Sequence, residues 1–192
     1  MENGLLKKTA EEHIAIAKAL AADSNIVSSV DKAASRISEC YRKGGKTIFF
    51  GNGGSAADAQ HMAAEFLGRY MKERRALPSI ALTANSSSLT AIANDYGYSH
   101  VFRRQIEGLG AKGDVAIGIS TSGNSANVVE GLKCAREKGI LTIALTGKKK
   151  CALDDVADIC LKMPSDSTPR IQEMHGLVLH TICAMVEAEL FG

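Results

Sequence analysis

The chain has 192 residues, of which 45% are hydrophobic and 23% charged, with a formal net charge of +2. That is the composition of one soluble globular domain, and so small a charge excess gives no electrostatic footing for nucleic acid or a membrane surface as partner. The cysteines Cys40, Cys134, Cys151, Cys160 and Cys183 are scattered, odd in number and form no CxxC pair, which fits free thiols in a reducing compartment better than a disulfide framework.

The opening MENGLLKKTAEEH puts charges where a signal peptide needs an apolar core, and no unbroken apolar run approaches the ~18 residues of a membrane span. The expected location is therefore the cytoplasm. Leu5 to Ala22 reads as a helix, because Leu6, Ala10, His13, Ile14, Ala17 and Leu20 recur at helical spacing. Asp23-Ser24-Asn25 is a stop-and-cap cluster. A second helix runs from about Ile26 to Arg42 and ends at Gly44-Gly45. Two helices ahead of the first strand exceed what a minimal α/β unit needs. They are read mainly as oligomer contacts, with capping of one sheet face as the alternative.

Strands and helices then alternate. The strand candidates Lys46–Phe50, Ser79–Thr83, Val115–Ile119, Leu141–Leu145 and Ile159–Met163 are short and almost continuously apolar, the pattern of strands buried on both faces. Helices fit between them at Ser55–Met71, Ser87–Asp95 with Val101–Leu109, Ser125–Lys138 and Ala152–Val156, and a last helix spans Pro169 to Leu190. The alternation predicts a doubly wound α/β sandwich with a parallel sheet. Lys148-Lys149-Lys150 after Gly147 reads as a solvated loop, with a phosphate contact as the alternative.

Ligands of open α/β sheets bind at the carboxyl ends of the strands. Three segments fall there. Gly51-Asn52-Gly53-Gly54-Ser55 lets backbone N–H groups approach an oxyanion; Ser55 is expected to cap the next helix, paired with Asp58 as in a capping box. Ser120-Thr121-Ser122-Gly123-Asn124-Ser125 gathers hydroxyls at a helix start, which suits a sugar phosphate. Asn94-Asp95 before Tyr96-Gly97-Tyr98 reads as a turn with a sugar-hydroxyl contact as a second role. The helix from Ser55 carries His61 and Glu65 four apart, on one face. In RIQEMHGLVLH, His175 and His180 diverge by ~140°, while Gln172 and His180 diverge by ~80° but lie ~12 Å apart along the axis. Gln172 and His180 share a metal only by reaching toward each other or across subunits.

These segments together resemble the phosphoheptose isomerases of the sugar-isomerase (SIS) fold. The matching stretches are FGNGGSAADAQHMAAEFLGRY, NDYGY, GISTSGNSANV and RIQEMHGLVLH, in that order over nearly the whole chain. The resemblance implies a three-layer α/β/α, flavodoxin-like sandwich with a five-stranded parallel sheet, one SIS domain over residues 1–192 with helices over 1–44 as an N-terminal extension. It implies a homotetramer with active sites between subunits and one zinc per subunit on His61, Glu65, Gln172 and His180. Substrate contacts fall on Asn52, Gly53, Gly54, Ser55, Glu65, Asn94, Asp95, Ser120, Thr121, Ser122, Ser125 and Gln172. The implied reaction interconverts sedoheptulose 7-phosphate and D-glycero-D-manno-heptose 7-phosphate through an enediol, with Glu65 as base and His180 as acid, at the entry to activated heptose. Where some members carry an aspartate before the arginine of RIQE, this chain has Pro169, leaving Thr168 or Asp166 as nearby polar replacements. Two rivals stand beside this reading. One is a non-enzymatic SIS adaptor resembling the replication-initiator-associating proteins, which lack the residues matching Glu65 and His180. The other is a different sugar-phosphate isomerase or sensor.

Overall fold

Five apolar runs supply the strands, and the residues that flank them set where each element stops. The computed structural model describes residues 4–192. In chain order the elements are α1 (Leu5–Ala22), α2 (Ser24–Arg42), β1 (Thr47–Gly51), α3 (Gly54–Leu67), β2 (Ser79–Ala81), α4 (Ser86–Tyr96), α5 (Val101–Leu109), β3 (Val115–Ile119), α6 (Ala126–Glu137), β4 (Leu141–Thr146), β5 (Ile159–Lys162) and α7 (Thr168–Phe191), with single 3-10 turns at Tyr98–His100 and Ala152–Asp155. The expected helix at Ala152–Val156 is thus only a 3-10 turn. The Asp23 side chain accepts from the Asn25 and Ile26 N–H groups, so α2 starts at Ser24 rather than near Ile26.

All five strands are parallel, in the order β2-β1-β3-β4-β5. β1 and β3 are buried throughout, whereas the edge strands β2 and β5 are half-exposed. The winding reverses between β1 and β3, which makes the crevice above their carboxyl ends the topological switch point.

The two faces of the sheet carry separate cores. On one, α2, α3 and α7 bury Ile37, Phe49, Met62, Phe66, Ile117, Leu179 and Ile182. On the other, α5 and α6 bury Ile48, Phe50, Phe102, Ile106, Val128 and Leu132. The two N-terminal helices divide the roles expected of them. α2 buries Val30, Ala33, Ala34, Ile37, Cys40 and Tyr41 and so caps the sheet. α1 buries only Leu20 and leaves Leu6 and Ile14 exposed. Among the described residues, α7 alone combines the length and hydropathy of a membrane span; here Ile171, Met174, Val178, Leu179, Ile182 and Val186 sit in the core.

α3 and α7 lie side by side and run the same way. Gln172 meets Gly54 near their starts, Cys183 Sγ lies 3.8 Å from Met62 Sδ farther along, and Glu187 meets the chain just past the end of α3. This pairing places the candidate site.

Candidate active site

The loop between β1 and α3 forms the first wall. Gly53 is the helix N-cap with φ of 56°, a left-handed conformation that suits glycine. A Cβ on Gly54 would meet the Gln172 side-chain amide and displace it from the loop. Ser55 is not the cap that its sequence suggests. It is buried inside the first turn, and no side chain caps α3. Its capping-box partner Asp58 is also released from that role.

Asn52 is fixed from two sides. It exchanges amide hydrogen bonds with Asn127 of α6, at 2.8 and 2.9 Å, and accepts from the Tyr98 hydroxyl at 3.0 Å. Asn127 is almost fully buried. It ties the β1 loop to the β3 loop, and Tyr98 ties both to the end of α4. Asn94 and Asp95 belong to the last turn of α4 rather than to a free turn, because the helix continues to Tyr96 before Gly97 breaks it with φ of 85°. Both are exposed, and the Asn94 amide donates to Asp95 at 2.9 Å.

The β3 loop forms the second wall. The Ser120 hydroxyl lies 2.9 Å from that of Ser125 and 3.4 Å from that of Ser122, and accepts from the Gly123 N–H. Ser125 is the N-cap of α6, yet its hydroxyl makes no capping bond and turns toward Ser120 instead. Gly123 has φ of 66° and packs directly on Cys151, so a side chain there is excluded twice over. Thr121 and Ser122 border a cleft on the far side of this loop. Converging hydroxyls at a helix start, with the helix dipole behind them, form a receptor for a phosphate group.

The third part is a cluster where α3 and α7 face each other. The His61 Nε2 and Glu65 Oε1 atoms are 2.9 Å apart, with His61 exposed and Glu65 half-buried. His180 joins them from α7, edge-on to His61 with ring centroids 5.0 Å apart. Tyr70 stacks on the other side of His180 at 5.8 Å. One ligand atom each from His61, Glu65 and His180 lie within 4.8 Å of one another. Imidazole nitrogens with a carboxylate suit a borderline divalent ion such as zinc. Asp58 adds an independent sign. Its Oδ2 is buried without a hydrogen-bond partner. Burial pushes the Asp58 carboxyl up, while the His61 and His180 rings pull it down. A buried carboxyl oxygen without a hydrogen-bond partner, beside two imidazoles, fits a cation held there.

Gln172 lies near the start of α7, against Gly54. Its amide therefore faces the glycine loop. His175, the other histidine of the last helix, is in the core. It is fully buried, its Nε2 is 3.4 Å from the Thr146 carbonyl, and burial lowers its pKa to about 4. The structure thus separates the two histidines as the helical angle requires.

Residues that pattern reading did not assign to the site are Asp58, Tyr70, Tyr98 and Asn127. Tyr70, Tyr98 and Asn127 gain their roles from neighbours distant in sequence, so no local spacing marks them; Asp58 sits one turn before His61 on α3, a spacing that the capping-box reading of Asp58 passed over.

The SIS domain model matches residues 8–147. Phosphoheptose isomerase 2 of Campylobacter jejuni is 47% identical over 190 residues, covering 99% of this chain and 94% of its own. The solved phosphoheptose isomerase of Neisseria gonorrhoeae superimposes with a TM-score of 0.89 at 41% identity, covering 95% of this chain and 97% of that one. That of Francisella tularensis gives 0.90 at 34% identity, covering 95% and 96%. With the SIS model spanning most of its length and relatives this similar end to end, the chain belongs to the SIS domain family and, within it, to the phosphoheptose isomerases.

Proposed function

We propose that the chain is an aldose–ketose isomerase that converts sedoheptulose 7-phosphate to D-glycero-D-manno-heptose 7-phosphate, toward nucleotide-activated heptose. The observation that carries this reading is the cluster of Glu65, His61 and His180 in a protein whose relatives bear the phosphoheptose isomerase name. A carboxylate and an imidazole side by side supply the base and acid that a proton shift between adjacent carbons needs.

Glu65 takes the proton from the carbon beside the carbonyl and returns it to the neighbouring carbon. His180 gives a proton to the carbonyl oxygen and takes one from the adjacent hydroxyl. Tyr70, stacked on His180, fixes the plane of that ring. The Ser120, Thr121, Ser122 and Ser125 hydroxyls hold the phosphate, so binding energy at the far end orients the reacting carbons. Asn52, held by Asn127, and the Gly53–Ser55 backbone meet the sugar body, with Asn94, Asp95 and Gln172 as further hydroxyl partners. His61, Glu65 and His180 would hold one zinc per subunit, with Gln172 as the fourth ligand of the set. Bound there, zinc would polarise the substrate oxygens and neutralise developing charge.

The working form is a cytoplasmic homotetramer with sites between subunits. The exposed apolar stripe of α1 supports an assembly, as do the exposed Leu67, Met71 and Leu177 near the site. NMR of the product made from sedoheptulose 7-phosphate, with and without a chelator, tests the whole reading. The aldose 7-phosphate should accumulate in the metal-replete sample and stop on verified metal removal. No product in the replete sample would sink the isomerase; full activity without metal would sink only the zinc.

A further inference from the structure

The lysines of the basic run after β4 are exposed to solvent, as expected, but their backbone is tied down. The Gly147 N–H donates to the Thr121 carbonyl at 3.0 Å, and the Lys148 N–H donates to the Ser165 carbonyl at 3.2 Å. Lys162, itself held by Asp154 at 2.7 Å, donates to the Lys149 carbonyl at 2.8 Å. A Cβ on Gly147 would meet Ile171, the Thr121 carbonyl and the Ser165 carbonyl. The lysine turn is therefore fastened on one side to the serine-rich loop and on the other to the start of α7.

Between these segments lies a cavity of about 260 Å³, bordered by Thr121, Ser122, Lys148, Lys149, Asp166 and Thr168, among others. It continues the hydroxyl cradle on the side away from Asn52. The Lys148 ammonium is folded back onto Asp166 at 2.7 Å, and Lys149 approaches the same carboxylate at 4.0 Å. The pair is exposed and therefore weak, so Lys148 can leave Asp166 for a stronger anion at little cost. Here two exposed ammonium groups converge on one exposed carboxylate at the rim of the cleft, beside the Thr121 and Ser122 hydroxyls.

We propose that this cleft is the outer half of the phosphate subsite, and that Lys148 exchanges Asp166 for a phosphoryl oxygen when substrate enters. The proposal rests on the sugar-phosphate reading of the site and adds the group that supplies its positive charge. Asp166 is then a placeholder that keeps the cation aimed inward and competes with the ligand. Its place just ahead of α7, near Pro169, makes it the acidic group of that segment, turned toward lysine rather than toward sugar.

The two partners must act with opposite sign. Lys148→Ala should weaken inorganic phosphate, titrated by calorimetry, about two- to fivefold, and raise KM for the sugar phosphate by the same factor. Asp166→Asn should tighten both by about twofold. Lys32→Ala, an exposed charge remote from the cleft, controls for net charge, and Lys148→Met retains the alkyl stem. The proposal is overturned if Lys148→Ala leaves both quantities unchanged, if Asp166→Asn weakens binding, or if phosphate binding responds while KM does not. Should the wild-type protein make no product at all, the isomerase reading fails by itself, and the phosphate titrations still decide whether Lys148 binds a phosphoryl group against Asp166.

Discussion

Glu65 and His175 are titratable side chains whose surroundings give them opposite duties. Glu65 is half-exposed at the crevice and faces His61 and His180. Glu65→Gln keeps the size of the side chain and removes the proposed base. It should fold normally and lose about 10² to 10⁴ in rate, and it should no longer exchange the substrate's carbon-bound hydrogen with heavy water. Normal exchange in that variant would take Glu65 out of the mechanism. His175 is buried under β4 and stays neutral, because burial lowers its pKa to about 4. The unfolded chain protonates this imidazole near its ordinary 6.5, whereas the folded one resists until about pH 4. Stability is therefore complete above about pH 6.5 and falls as the pH drops toward 4, by about 3 kcal/mol from this residue. His175→Gln should flatten that part of the curve. A Tm difference between the two proteins that does not change from pH 7 to pH 4 would refute the assignment.

At the scale of elements, the loop after α3 is set by a buried pair from the end of α7. Glu187 accepts from the backbone N–H groups of Tyr70, Met71 and Lys72, and its ion pair with Arg74 is 97% or more buried on both sides. Arg74 in turn donates to the carbonyls of Glu65, Phe66 and Gly68. Burial raises the Glu187 pKa, but the backbone donors and Arg74 outweigh it and leave the carboxyl low. This pair ends α3 at Leu67 instead of the Met71 that periodicity suggests, and it delivers Tyr70 to His180. Glu187→Ala strands Arg74 in the interior and should cost about 3–5 kcal/mol, read as a drop in Tm, together with loss of turnover. A small Tm change would show that the loop is held by something else. Such a strap is invisible in sequence, since Glu187 looks like one more polar residue near a helix end. The serine-rich and glycine loops were legible because their chemistry is contiguous. Asn127 and Tyr70 were not, because each acts through a partner on another element, and Asp58 was read as a capping residue although it lies one turn before His61.

For the molecule as a whole, strand runs and helical periodicity gave the α/β/α layers, since continuous apolar strands must be covered on both faces. The order β2-β1-β3-β4-β5 was not readable from local patterning, which says that strands exist but not which are neighbours. Patterning also left the two N-terminal helices equivalent, although packing separates them. α2 belongs to the core, and α1 exposes Leu6 at 82% and Ile14 at 52%. Replacing both by aspartate should leave the helical signal intact and lower the mass seen in sedimentation below that of a tetramer. A tetramer unchanged by the pair would move the contact elsewhere.

The side-by-side course of α3 and α7 has a consequence in time as well as in space. His61 and Glu65 leave the ribosome well before His180. During synthesis the sheet can gather its strands, but one face stays uncovered and the histidine cluster lacks a member until α7 emerges. A chain halted before α7 therefore has the glycine and serine loops without the complete cluster, and an apolar face open to aggregation. Emergence of α7 and assembly of the cluster are the same event.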